Sequence, residues 1–114
     1  MNTISNLGVT DTEKIALEEI IKDLKRVWPE AAFKLFGSKV KGSNDPESDL
    51  DLLIEMPCTV TEAIRREIIH KVFETNLTHG SNISVFIVSK QEWENGLLSV
   101  LPIHASIEKE GIPL

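Results

Sequence analysis

The chain has 114 residues, 41% of them apolar, and 18 acidic side chains against 12 basic ones, for a formal charge of −6. That size and balance describe one globular domain spanning 1–114 with a modest core. They exclude a broad nucleic-acid groove, which needs a net basic face, and no apolar run approaches the length of a membrane span.

The single Cys58 cannot form an internal disulfide, and no Cys/His set has zinc spacing, which fits a reducing, cytoplasmic setting. Residues 1–9 read as a loose lead-in with neither a basic n-region nor an apolar h-region, so no signal peptide is expected. The stretch TDTEKIALEEIIKDLKRVW then predicts an amphipathic helix, with Ile15, Leu17, Ile20, Ile21, Leu24, Val27 and Trp28 near one stripe. Thr10 and Glu13 make a capping box for it, and Pro29 closes it. Ala31–Phe36 is short, apolar and aromatic, stops at Gly37, and predicts a strand. SKVK has room for one helical turn, and Gly42–Ser48 is a loop of turn residues.

DLDLLIEM predicts a second strand, with Leu50, Leu52, Ile54 and Met56 on one face and Asp49, Asp51, Leu53 and Glu55 on the other. A second amphipathic helix follows in TEAIRREIIHKVFETN, with Ile64, Ile68, Ile69, Val72 and Phe73 as its expected buried side. THGSN is a turn and Ile83–Val88 a third strand. Ser89 and Glu92 cap a short helix in KQEWEN that ends at Gly96, and a last helix covers Ile103–Glu110 before GIPL. This order predicts an α/β (α+β) fold: a small mixed sheet flanked by helices.

The chemistry concentrates between Gly37 and Asp51. A glycine just past a strand lets the backbone turn sharply and approach a ligand closely. Ser38 adds a hydroxyl and an N–H, and a helical turn starting there would aim unpaired N–H groups at a phosphate. Lys39 and Lys41 would offset phosphate charge. Asp49 and Asp51 project on one side of a strand with Cα atoms roughly 6–7 Å apart. Two ionised carboxylates so placed repel, and a divalent cation relieves that, Mg²⁺ favouring one or two carboxylates together with substrate phosphates. Gly-Ser alone is usually only a turn, and Asp-x-Asp alone is often two solvated charges. The order strand, Gly-Ser, polar loop, Asp-Leu-Asp, strand is far more specific.

GSKVKGSNDPESDLDLLI, with ten residues between Ser38 and Asp49, resembles the Gly-Ser…Asp-x-Asp signature of the nucleotidyltransferase superfamily that shares the fold of DNA polymerase β. It looks most like the minimal nucleotidyltransferases that act as antitoxins to HEPN-domain toxins. The resemblance runs from about Thr10 to Val88, with a similar tail. It implies Gly37 and Ser38 as the triphosphate-binding pair and Asp49 and Asp51 as catalytic metal ligands. It implies Mg²⁺ or Mn²⁺ and ATP or another NTP, transfer of a nucleoside monophosphate to a hydroxyl, and a HEPN-domain protein as partner. The superfamily carries a third carboxylate on the next core strand. Here the positions of matching parity are Ser84 and Phe86, neither of them acidic. Asn82 or Ser84 could ligate weakly, Glu55 faces the correct side but sits roughly 13 Å along the strand from Asp51, and His79 is the histidine nearest the third strand. The sequence thus leaves three alternatives: a nucleotidyltransferase, a catalytically deficient nucleotide-binding module that works by binding a partner, and a plain structural α/β domain.

Overall fold

The computed structural model describes residues 9–37 and 50–114; the expected helical turn in SKVK, the Gly42–Ser48 loop and the residues before Val9 lie outside that range. Helix α1 spans Asp11–Val27, strand β1 Ala32–Phe36, strand β2 Leu50–Met56, helix α2 Glu62–His79, strand β3 Ile83–Ser89, helix α3 Lys90–Asn95, helix α4 Pro102–Glu110 and strand β4 Ile112–Pro113. A short 3-10 turn at Leu97–Val100 joins α3 to α4. The sheet order is β3-β2-β1-β4: β1 runs antiparallel to β2 and β4, and β2 runs parallel to β3. A parallel pair needs a crossover, and α2 supplies it. The mixed sheet expected from the order of elements is therefore present. Among the described residues no helix is long and apolar enough to cross a membrane.

Alternation along the strands sorts two cores onto the two faces of the sheet. Phe33, Leu35, Leu50, Leu52, Ile54 and Met56 pack with Leu17, Ile20 and Leu24 of α1 and Ile68 and Val72 of α2. The opposite face is smaller, with Leu53, Val88, Trp93 and Ile107 buried together under α3 and α4. The caps are those the sequence predicts. Thr10 and Glu13 bond reciprocally at 3.0 and 3.1 Å, and the Ser89 hydroxyl accepts from the Glu92 N–H at 3.2 Å. Helix α2 runs three residues further than expected, to His79, and stops at Gly80 in the left-handed region (φ 64°). There the Asn76 side-chain amide accepts from the Ile83 N–H and donates to the Ile83 carbonyl, fixing where β3 starts.

Two expectations fail on burial. Ile15 and Val27 of α1 are exposed, and so are Ile69 (49%) and Phe73 (59%) of α2, which share an outward ridge with Leu77 (68%). The apolar residues of α2 spread over two faces, and only the face of Ile68 and Val72 meets the sheet. A stripe-based reading cannot tell which of two stripes is covered. The tail GIPL is also more than a tail. Ile112 pairs with Leu35, Pro113 with Lys34, and the Leu114 N–H donates to the Phe33 carbonyl at 2.9 Å. Proline fits there because β4 is an edge strand.

A polar network pins α4 to the second face. Lys34 Nζ donates to Glu108 Oε2 at 2.6 Å, and Trp93 Nε1 donates to Glu108 Oε1 at 3.0 Å. The Trp93 ring meets Phe86 edge-on at 6.1 Å and lies 4.4 Å from His104. The bond from Lys34 holds the Glu108 carboxyl below its usual range, with the Trp93 bond acting the same way against burial. Glu55, also on this face, is shifted the other way: burial raises its carboxyl, and the nearby Lys34 charge offsets part of that. A raised carboxylate pKa means that ionisation costs more in the folded than in the unfolded chain. That cost is absent below the unfolded value and grows as pH rises towards the folded one. Glu55→Gln is therefore expected to melt above wild type at pH 7 and level with it at pH 4. Thermal melts across that range check this, and equal midpoints at both pH values would count against it.

Candidate active site

Asp51 lies at the N-terminal end of β2, half-buried, on the smaller face of the sheet. Register places Phe36 of β1 on one side of it and Ser84 of β3 on the other. The residue after Phe36 is Gly37, at φ 96°, where an L side chain is strained. A Cβ built on Gly37 would collide with Asp51 Oδ2 and lie 3.1 Å from the carboxyl carbon. The bend that ends β1 and the carboxylate that begins β2 are therefore in direct contact, and only glycine permits it. Gly37→Ala is expected to lose about 1–3 kcal/mol of stability from backbone strain alone, with a further loss from displacing Asp51. Urea unfolding measures this, and a variant as stable as wild type would mean the contact is not a constraint.

Of the residues singled out in the sequence, the structure thus joins Gly37 with Asp51. Ser38, Lys39, Lys41 and Asp49 lie outside the described residues. Ser84, one of the two positions matching a third carboxylate, is level with Asp51, whereas Phe86 is level with Leu53 and packs against Trp93 in the second core. Glu55 is level with Val88, four residues along β2 from Asp51, beside Lys34 and away from the bend. His79, the histidine nearest the third strand, ends α2 and pairs with Glu19 of α1. His70 pairs with Glu74 on α2. Among the described residues no group of three His, Cys, Asp or Glu side chains could hold a metal by itself. The donors present are hard oxygens, a carboxylate and a hydroxyl. They suit Mg²⁺ shared with substrate phosphates better than a metal held wholly by protein.

A cavity of about 270 Å³ opens beside Gly37, between the end of β1 and α4. Its lining includes Phe36, Ile107, Ser106 and Glu110. Sequence reading treats Glu110 as an ordinary helix-end charge. What brings it here is β4, whose pairing with the end of β1 through Ile112 and Pro113 draws the end of α4 alongside Gly37. The one signal for this was the short apolar Ile112–Leu114 after the helix-ending Gly111.

Comparison with known proteins adds one match. The family described as "Nucleotidyltransferase domain" matches residues 17–112, most of the chain and both sides of the bend. No curated protein and no solved structure matches.

Proposed function

Because the chain belongs to the nucleotidyltransferase domain family, we propose that it binds a nucleoside triphosphate, ATP foremost, with Mg²⁺ or Mn²⁺, and transfers the nucleoside monophosphate to a hydroxyl acceptor. The observation that carries this reading is the contact between the Gly37 bend and the Asp51 carboxylate. It sets a turn suited to phosphate directly against an acidic group suited to the cation that accompanies phosphate. Gly37 and Ser38 would hold the β- and γ-phosphates, Lys39 and Lys41 would offset their charge, and Asp49 and Asp51 would hold the cation. Bound there, the cation would neutralise charge that develops on the phosphate oxygens. The acceptor oxygen bonds to the α-phosphorus, the bond from that phosphorus to the α–β bridging oxygen breaks, and pyrophosphate leaves with the electron pair. The acceptor hydroxyl gives up its proton in the same step.

That proton is what favours a second reading. The side chain level with Asp51 on β3 is Ser84, a poor base at neutral pH. Loss of a positioned base costs about 10²–10⁴ in rate. Either a partner or the acceptor supplies the base, or the chain is a nucleotide-binding module that acts by occluding its partner. The resemblance points to a cytoplasmic HEPN-domain protein for either role. The two readings separate on labelled ATP incubated with Mg²⁺, the chain and a HEPN-domain protein. Transfer of the α-label but not the γ-label supports the enzyme. Retained nucleotide binding without transfer supports the module.

A further inference from the structure

The apolar ridge on the outer side of α2 fits a second copy of this chain, and we propose that two copies pair across it, α2 against α2, antiparallel about a two-fold axis. Ile69, Phe73 and Leu77 recur every fourth residue, which sets them in one line along the helix. Each leaves about half of its surface or more to solvent. The helix beneath them is firmly docked. Ile68 and Val72 are buried in the larger core, and Lys71 Nζ reaches Asp23 of α1 at 2.9 Å. Neither the sheet nor α1 covers the ridge. Single exposed apolar residues are ordinary, but a contiguous line of them marks an interaction surface. Asp51 lies on the other face of the sheet, so pairing through α2 leaves the candidate active site open.

The charges beside the ridge select the occupant and its direction. Arg66, His70 and Glu74 follow one another every fourth residue along one flank, basic first and acidic last. The pairs they make stay within α2 and are exposed: Arg66 with Glu62 at 3.9 Å and His70 with Glu74 at 2.8 Å. Such surface pairs are weak and leave the charges able to take a further contact. A parallel copy would set Arg66 beside Arg66 and Glu74 beside Glu74. An antiparallel copy reverses the row. With Ile69 level with Phe73 of the second copy, and Phe73 with its Ile69, Glu74 of each copy lies between Arg66 and His70 of the other. The pattern is thus complementary to itself, as a two-fold interface requires. Burial of the ridge supplies the affinity, and the charges supply direction and register. Helix α2 has 18 residues and is about 27 Å long. One such helix from each copy covers less than the roughly 800 Å² per partner of a standard interface, so pairing is expected to be reversible, with Kd on the order of 100 µM.

The test is sedimentation equilibrium of the full chain from about 10 µM to about 1 mM, a range that brackets the expected Kd. The mass is expected to rise with concentration towards twice that of the monomer. Phe73→Glu should abolish association over the same range. Phe73 is exposed, so this variant is expected to fold, and thermal melts check that it does. Arg66→Glu and Glu74→Arg should each weaken pairing about tenfold by setting like charges together. A chain carrying both changes should recover most of the loss. The two positions are too far apart along one helix to meet each other, so recovery reports a contact between copies, which a local effect on α2 would not produce. A chain that stays monomeric at the highest concentration overturns the proposal and assigns the ridge to a different protein. Association unaffected by Phe73→Glu overturns it by placing the interface elsewhere. A double variant as weak as the single ones overturns the antiparallel arrangement. None of these readouts depends on nucleotide binding, so the proposal stands or falls apart from the activity proposed above.

Discussion

Asp51→Asn is expected to reduce α-label transfer from ATP by about 10³-fold or more, with little change in fold. Asparagine keeps the shape of aspartate and removes the charge. On the proposed reading the lost interaction would be the one holding a cation against the phosphates, a contribution of several kcal/mol, and each 1.36 kcal/mol is tenfold in rate. Among the described residues the Gly37 backbone, Phe36 and Ser84 lie beside Asp51, and asparagine has the size and shape to fit there. The melting midpoint should therefore hold or rise, as when a charge kept for function is removed from a folded site. Single-turnover transfer assays read the rate and thermal melts read the fold. Unchanged transfer in a well-folded variant would remove Asp51 from the chemistry. A large fall in midpoint would assign it a structural role.

Ser84→Asp is expected to change the rate in the opposite direction. Ser84 is level with Asp51 across the parallel β2–β3 pair, so an aspartate there adds a carboxylate on the same face as Asp51. If removal of the acceptor proton limits transfer, supplying a positioned base should raise the rate by about 10²-fold, the lower end of what such a base contributes. The added charge should make the apo protein less stable, and Mg²⁺ should restore what is lost. A transfer rate unchanged by Ser84→Asp would place the base on the partner or the acceptor, with this chain supplying phosphate and cation binding only.

How much of this was legible beforehand follows from the kind of signal each feature leaves. Caps such as Thr10–Glu13 are local, and the sequence names both partners. The faces of β2 follow from alternation alone, so Asp51 and Leu53 fall on the correct side without knowledge of their neighbours. The contact of Gly37 with Asp51 needs one more fact, the register of β1 on β2, which pairs Phe36 with Asp51. Parity fixes the face of a residue but not which residue lies beside it, so Ser84 and Phe86 were equivalent in sequence and only Ser84 lies level with Asp51. The outward turn of Ile69 and Phe73 was hidden because α2 carries apolar residues on two faces, and packing alone decides which is covered. Strand β4 was hidden because two residues are too few to show a period. With β4 unseen, nothing in the sequence placed Glu110 beside Gly37.

The direct test of the central claim is a calorimetric titration of Mg-ATP into wild type and Asp51→Asn, repeated with EDTA. Binding by wild type at millimolar or lower concentration, lost with EDTA and lost in the variant, is the predicted result. Binding that survives both changes, or no binding by wild type, would contradict a site in which the Gly37 bend and the Asp51 carboxylate grip one metal–nucleotide complex.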